Sequence, residues 1–185
     1  KPGKDMWEVY FYSDTENWGT PEAWDDSKVM AMGEVTVHPI PFSVETFTLD
    51  INNIKSNSAT IDLIWEKTYV GIPFTVPTDD AVLASINDVL GGTPTENDYF
   101  SSAVYYLQEG KDIKQAQEWI DKAVDMTKDK PRFWFLRQQS LIHAKAGDTA
   151  GAIAAAKASL AGAEKAGNAD YVKMNTDSLK EWGAQ

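Results

Sequence analysis

The chain offers two imidazoles, His38 and His143, and no thiol. An imidazole does acid–base work or holds a metal when a second histidine or a carboxylate stands at a productive spacing. His38 lies between Val37 and Pro39 at a strand end, and His143 lies inside a helical pattern. Neither has such a neighbour in the sequence, so both read as packing or surface residues. The absence of cysteine removes thiolate nucleophiles, disulfides and zinc–cysteine sites together. The stretch from Asp14 to Asp25 has part of the spacing of a calcium loop, with Asp14, Glu16, Glu22 and Asp25 at the ligand positions and Gly19 at the turn. Trp18 takes a place where an oxygen ligand belongs, and Asp25 stands where the longer Glu is needed, so the stretch reads as a structural turn. The carboxylates Asp25, Asp26, Glu45, Asp50, Asp62, Glu66, Asp79 and Asp80 fall on solvated strand faces, turns and helix starts. A glycosidase would need two of them facing across a cleft. Gly91-Gly92-Thr93 lacks the Lys of a phosphate loop, and neither Gly-x-Ser-x-Gly nor His-Glu-x-x-His occurs. No catalytic, cofactor-binding or metal-binding residue is assigned, and the chain reads as a non-enzyme.

Binding chemistry is better represented. Tyr10, Tyr12, Trp18 and Trp24 gather in the first part of the chain, and flat aromatic faces stack on sugar rings. Tyr12, Trp18 and Trp24 are therefore candidate glycan contacts, against the alternative that they fill a core or a subunit interface. A net charge of −11 and a pI near 4.5 argue against nucleic acid, which needs a basic surface. The same charge disfavours anionic lipid headgroups. No apolar run approaches the roughly 18 residues of a membrane-spanning helix.

Two kinds of element must position these groups. Residues 1–77 carry β patterns at Met6–Tyr12, Val29–Val37, Val44–Ile51, Ala59–Trp65 and Tyr69–Val76. Asn52-Asn53 and Ser56-Asn57 are turn chemistry and predict a hairpin between the third and fourth strands, with a short connection at Glu66–Thr68 before the fifth. An antiparallel meander or one sheet of a sandwich follows. The chain starts as though in mid-turn just before a strand, which reads as a fragment or a processed form.

Residues 78–185 are helical. Six helices are expected, at about 78–90, 96–109, 113–128, 131–146, 149–166 and 169–183. Tyr99–Met126 and Leu136–Ala163 are one paired-helix unit written twice, with Gly110 aligned on Gly147 and Asp112 on Asp148. An offset of 36 to 37 residues marks stacked helical hairpins of tetratricopeptide type. The fold expected is thus α+β, an antiparallel sheet or partial sandwich followed by tetratricopeptide-like hairpins. In such stacks the first helix of each hairpin lines the concave face, which makes Ser101, Tyr105, Gln108, Arg137, Leu141 and Lys145 candidate contacts for a protein or peptide partner. The competing reading is that the hairpins only buttress the β half.

Asn17-Trp18-Gly19, Val44-Glu45-Thr46-Phe47-Thr48 and Ser58-Ala59-Thr60 through Trp65-Glu66 resemble an uncharacterised bacterial family, catalogued as a domain of unknown function and found mostly in envelope or secreted proteins of bacteroidetes. Glu109-Gly110-Lys111-Asp112 and Lys130-Pro131-Arg132-Phe133-Trp134 are similar to the helical tail of many members, so that the resemblance runs over nearly the whole chain. It implies a periplasmic or otherwise exported protein whose β domain lacks its opening strands, and it supplies no catalytic residue and no ligand. The function expected is a non-enzymatic exported scaffold or protein-binding module. The alternative is glycan or small-ligand binding through the aromatics of the β half.

Overall fold

A computed structural model describes residues 2–16 and 18–184, so that Asn17 of the turn motif lies outside the described residues. The chain divides into two compact units, residues 1–80 and 81–185. In the first, strands β1 (Met6–Tyr12), β2 (Val29–Asn52) and β3 (Ser58–Thr75) form an antiparallel sheet in the order β1-β2-β3. Helices α1 (Thr78–Gly91), α2 (Glu96–Gln108), α3 (Ile113–Met126), α4 (Phe133–Lys145), α5 (Thr149–Lys165) and α6 (Ala169–Glu181) follow. The architecture is α+β, as the sequence predicts.

The sequence predicts five strands, and among the described residues the sheet has three. The predicted breaks exist, but the chain bends at them without ending a strand. Pro39 and Pro41 bring no N–H to the ladder, and β2 passes them by shifting register. Pro39 faces Thr68, Val44 faces Glu66, and Thr48 faces Ile64, so β2 carries extra residues that bulge. Glu66 takes φ of 49° at the same place, which makes the predicted connection at Glu66–Thr68 a bend inside β3. The ribbon folds back on itself there, and the two arms of β3 face one another. The Tyr69 hydroxyl donates to Asp62 Oδ1 at 3.0 Å, and the Val76 N–H donates to the Asn57 carbonyl at 2.9 Å. Gly71 makes this closure possible, since a Cβ there would sit 2.6 Å from the Tyr69 hydroxyl and 3.3 Å from Thr60 Cγ2. The hairpin predicted around Asn52–Asn57 is present, with Asn53 in the left-handed region at φ 52°.

Val35, Val70 and Ile72 form the buried centre of the β unit, packed by Trp7, Val9, Val37, Ile61 and Leu63. Much apolar surface stays outside this centre, with Met30, Met32, Phe42, Phe47, Leu49, Ile54 and Trp65 exposed.

The helical unit repeats one local device. Gly110, Gly147 and Gly167 take φ of 63°, 85° and 67° after α2, α4 and α5, a conformation that releases the helix and that L side chains resist. Asp148 and Asn168 follow at once and Asp112 one residue later, after Lys111, and each side chain accepts a backbone N–H of the next helix. Thr95 and Asp98 close a reciprocal capping box at the head of α2. Substantial contacts then join each helix from α2 to α6 to the next along the chain. Ala103, Ala116, Ser140 and Ala152 are fully buried, which lets paired helices approach closely as their size predicts. Ile120 and Ile142 fill the centre with Phe100, Tyr106, Leu107, Ile113 and Trp119 around them. At α5 the approach is closer still, for a Cβ on Gly162 would lie 2.9 Å from Phe133 Cβ.

Candidate functional site

Three constellations carry chemistry. The first lies in the helical unit, where the last turn of α4 points His143 between two carboxylates. Its Nε2 stands 2.8 Å from Asp121 Oδ1 on α3, and its Nδ1 stands 2.8 Å from Asp148 Oδ2 at the head of α5. The ring is buried, while the two carboxylates are partly exposed. Burial works against a charged ring, but the hydrogen bonds to Asp121 and Asp148 outweigh it and raise the pKa of His143 above the usual histidine value. The Gly151 N–H, and after it His143, holds the Asp148 carboxyl below the ordinary range. Gln139 donates to Asp121 Oδ1 at 2.8 Å and completes the cluster. This corrects the sequence reading of His143 as lacking a carboxylate partner. Asp148 is five residues away across the Gly147 turn and was legible; Asp121, on the preceding hairpin, was not.

The second constellation is the set predicted to line a concave helical face. Ser101 and Tyr105 face α1, lining with Asp98 and Ser102 an open cleft of 310 Å³ bordered on the other side by Val82, Ser85, Ile86 and Val89. Arg137 is half-buried, its Nη1 donating to Ser178 Oγ of α6 at 2.9 Å, and burial lowers its pKa. Leu141 is half-buried, and Gln108 and Lys145 are exposed. The structure thus spreads the six residues: two turn toward α1, one is tethered to α6, and Gln108 and Lys145 remain open at equivalent positions of the two repeats. The stack of Phe100 on Phe135, with ring centres 4.1 Å apart, joins the first helices of the two hairpins, α2 and α4.

The third lies in the β unit. Trp24 packs edge-on against Tyr10 at 5.2 Å and tilted against Tyr12 at 4.9 Å. The Trp24 indole N–H donates to Asp26 Oδ1 at 2.7 Å, and the Tyr12 hydroxyl accepts the Asp25 N–H at 3.1 Å. These bonds fix the rings beside a cavity of 420 Å³ lined by Tyr10, Tyr12, Asp14, Gly19, Thr20, Pro21 and Trp24. Trp18, predicted as a third contact, is fully exposed and does not line this cavity. Asp14, the first residue of the calcium-like spacing, is bonded to Lys28 Nζ at 2.7 Å.

Asp62 departs most from its predicted setting. Alternation with Ile61 and Leu63 places it on a solvated strand face, yet it is buried, accepting from Tyr69 and, at 2.9 Å, from Asn52 Nδ2. The second arm of β3 covers the face that alternation leaves to water. Elsewhere in the β unit, Val9, Phe11, Val35, Ala59, Ile72 and Phe74 line an open apolar trough of 720 Å³. Among the described residues no three His, Asp or Glu side chains are placed to hold a metal ion, and no helix is long and apolar enough to cross a membrane.

Residues 1–74 match a protein family described as "Protein of unknown function (DUF2911)". The match covers the β unit and stops before α1, whereas the resemblance read from the sequence ran on through the helices. No curated protein and no solved structure matches the chain.

Proposed function

We propose that this protein is a non-enzymatic scaffold, acting outside the cytoplasm, whose helical hairpins stack in tetratricopeptide fashion and capture a protein or peptide partner. The observation that carries this reading is the repetition itself. One turn device is used at three of the four junctions between α2 and α6, and within the two hairpins it leaves Gln108 and Lys145 exposed at matching places on α2 and α4. A repeated array with equivalent outward side chains suits recognition of an extended ligand. Leu141, one turn before Lys145 on α4, adds a half-buried apolar side chain. Arg137 serves the reading less well, because α6 already engages it. Exported action rests on the likeness of the β-unit residues to an envelope family.

The test is cross-linked capture from a bacterial envelope fraction with the whole chain as bait. One specific partner should appear, and Gln108→Ala with Lys145→Ala should reduce its capture by about tenfold, the loss of roughly 1.4 kcal/mol. Capture unaltered by both changes sinks the concave-face proposal and leaves the hairpins as a buttress.

A second reading has its own observation, the Tyr10–Tyr12–Trp24 cluster fixed beside a cavity. Under it the β unit holds a sugar ring against Trp24. Retention on immobilised polysaccharide should then fall about tenfold in Trp24→Ala and stay unchanged in Lys145→Ala. Equal retention by all three proteins removes the glycan reading.

A further inference from the structure

We propose that His143 is a pH-operated latch between the two helical hairpins, closed when the ring carries both protons and released when it loses one. The geometry requires this. Both ring nitrogens lie 2.8 Å from carboxylate oxygens, and a neutral imidazole has a single N–H to offer. Only the imidazolium can donate to Asp121 and Asp148 together. The ties run to different hairpins: Asp121 belongs to α3, and Asp148 caps α5 by accepting the Gly151 N–H at 2.9 Å. Loss of one proton therefore sets a nitrogen lone pair against a carboxylate, either at the seam between hairpins or at the start of α5.

The charged groups around the ring are few. Asp121 faces it from α3 and Asp148 from the head of α5. Lys114 of α3 acts on Asp148 and donates to the Ala146 carbonyl at 3.4 Å. Gln117 and Gln139 are the uncharged neighbours. Among the described residues, α2 and α6 bring no charged group to the ring. Gly151 is part of the device, because a Cβ there would land on both the Asp148 carboxylate and the His143 ring.

The pH window has two limits. A folded-state pKa above the ordinary 6.5 means that the contribution of His143 is complete below 6.5 and lost as pH rises through the folded value. The Asp148 pKa, below the ordinary 3.8, sets the acid limit, where its contribution disappears as pH falls through the folded value. Between these limits the latch is shut.

The experiment is nitrogen-15 NMR of the full chain, whose sequence holds two histidines, His38 and His143. His143 should keep both nitrogens protonated above pH 6.5 and titrate at higher pH than in the urea-unfolded chain. Each unit of that difference corresponds to a tenfold larger folding constant at low pH. Urea titrations from pH 5.5 to 9 should show the advantage of the native chain over His143→Gln shrinking as pH rises. Titration at or below the unfolded value, or a single-proton tautomer at pH 6, overturns the latch. Should His143→Gln fail to fold, the native spectra decide alone. An advantage that is flat across the pH range also overturns it.

Discussion

Phe135→Ala is expected to destabilise the helical unit by about 3–5 kcal/mol, the range for truncating a fully buried aromatic ring. Phe135 is 1% exposed and stacks on Phe100 with planes 11° apart. The Arg132 guanidinium lies 4.9 Å from the centre of its ring and reaches on to Glu96 at 2.7 Å and Asn97 at 2.9 Å. One side chain thus joins the first helix of one hairpin to the first helix of the next, and the cation above it anchors the head of α2. Removing the ring leaves a cavity that rigid helices cannot close, and it frees Phe100 and Arg132 from their positions. The measurement is urea unfolding followed by helical circular dichroism. Trp134→Ala, next along the chain but 40% exposed, should cost about 1 kcal/mol or less. Equal midpoints for the two variants would show that α2 and α4 are not held together through Phe135.

Asp62→Ala should weaken the β unit by about 1–3 kcal/mol, mainly by stranding the Tyr69 hydroxyl. The Tyr69 hydroxyl and the Asn52 amide both aim at this carboxylate, and of the two the half-buried Tyr69 hydroxyl has the less water to turn to, since Asn52 is exposed. Two arms of one strand would then face each other without their polar tie. Hydrogen exchange over residues 58–75 reads the outcome. Faster exchange in both arms is expected, whereas unchanged protection would mean that the fold of β3 is set by its bulge alone. Asp62→Asn, which keeps an acceptor toward Tyr69, should lose distinctly less.

The helical unit was legible because its punctuation is local. Gly110, Gly147 and Gly167, each with an Asp or Asn one or two residues on, mark helix ends within a residue or two, and Thr95 with Asp98 marks a beginning. The small residues that pair helices were legible from the repeat for the same reason. The second strand was read to end at Val37, just before Pro39; that the chain would bulge and continue depends on the partner strand across from it. The burial of Asp62 was hidden because alternation tells which residues share a face but not what later covers that face. Arg137 escaped for a related cause, as α6 arrives 41 residues on to accept its hydrogen bond. The His143 cluster shows both situations at once, with one partner across a short turn and the other brought in by stacking.

The chain-neighbour pattern of helix contacts has a consequence for how the helical unit folds. When each helix leans on the one before and the one after it, few long loops must close before contacts form. Such a unit assembles quickly from local pairs and comes apart from its ends inward, as a zipper does, rather than in one step. Opening would begin at α6, whose principal neighbour is α5 alone, and would proceed toward the Phe100–Phe135 seam. The residues around that seam would then be the last to melt.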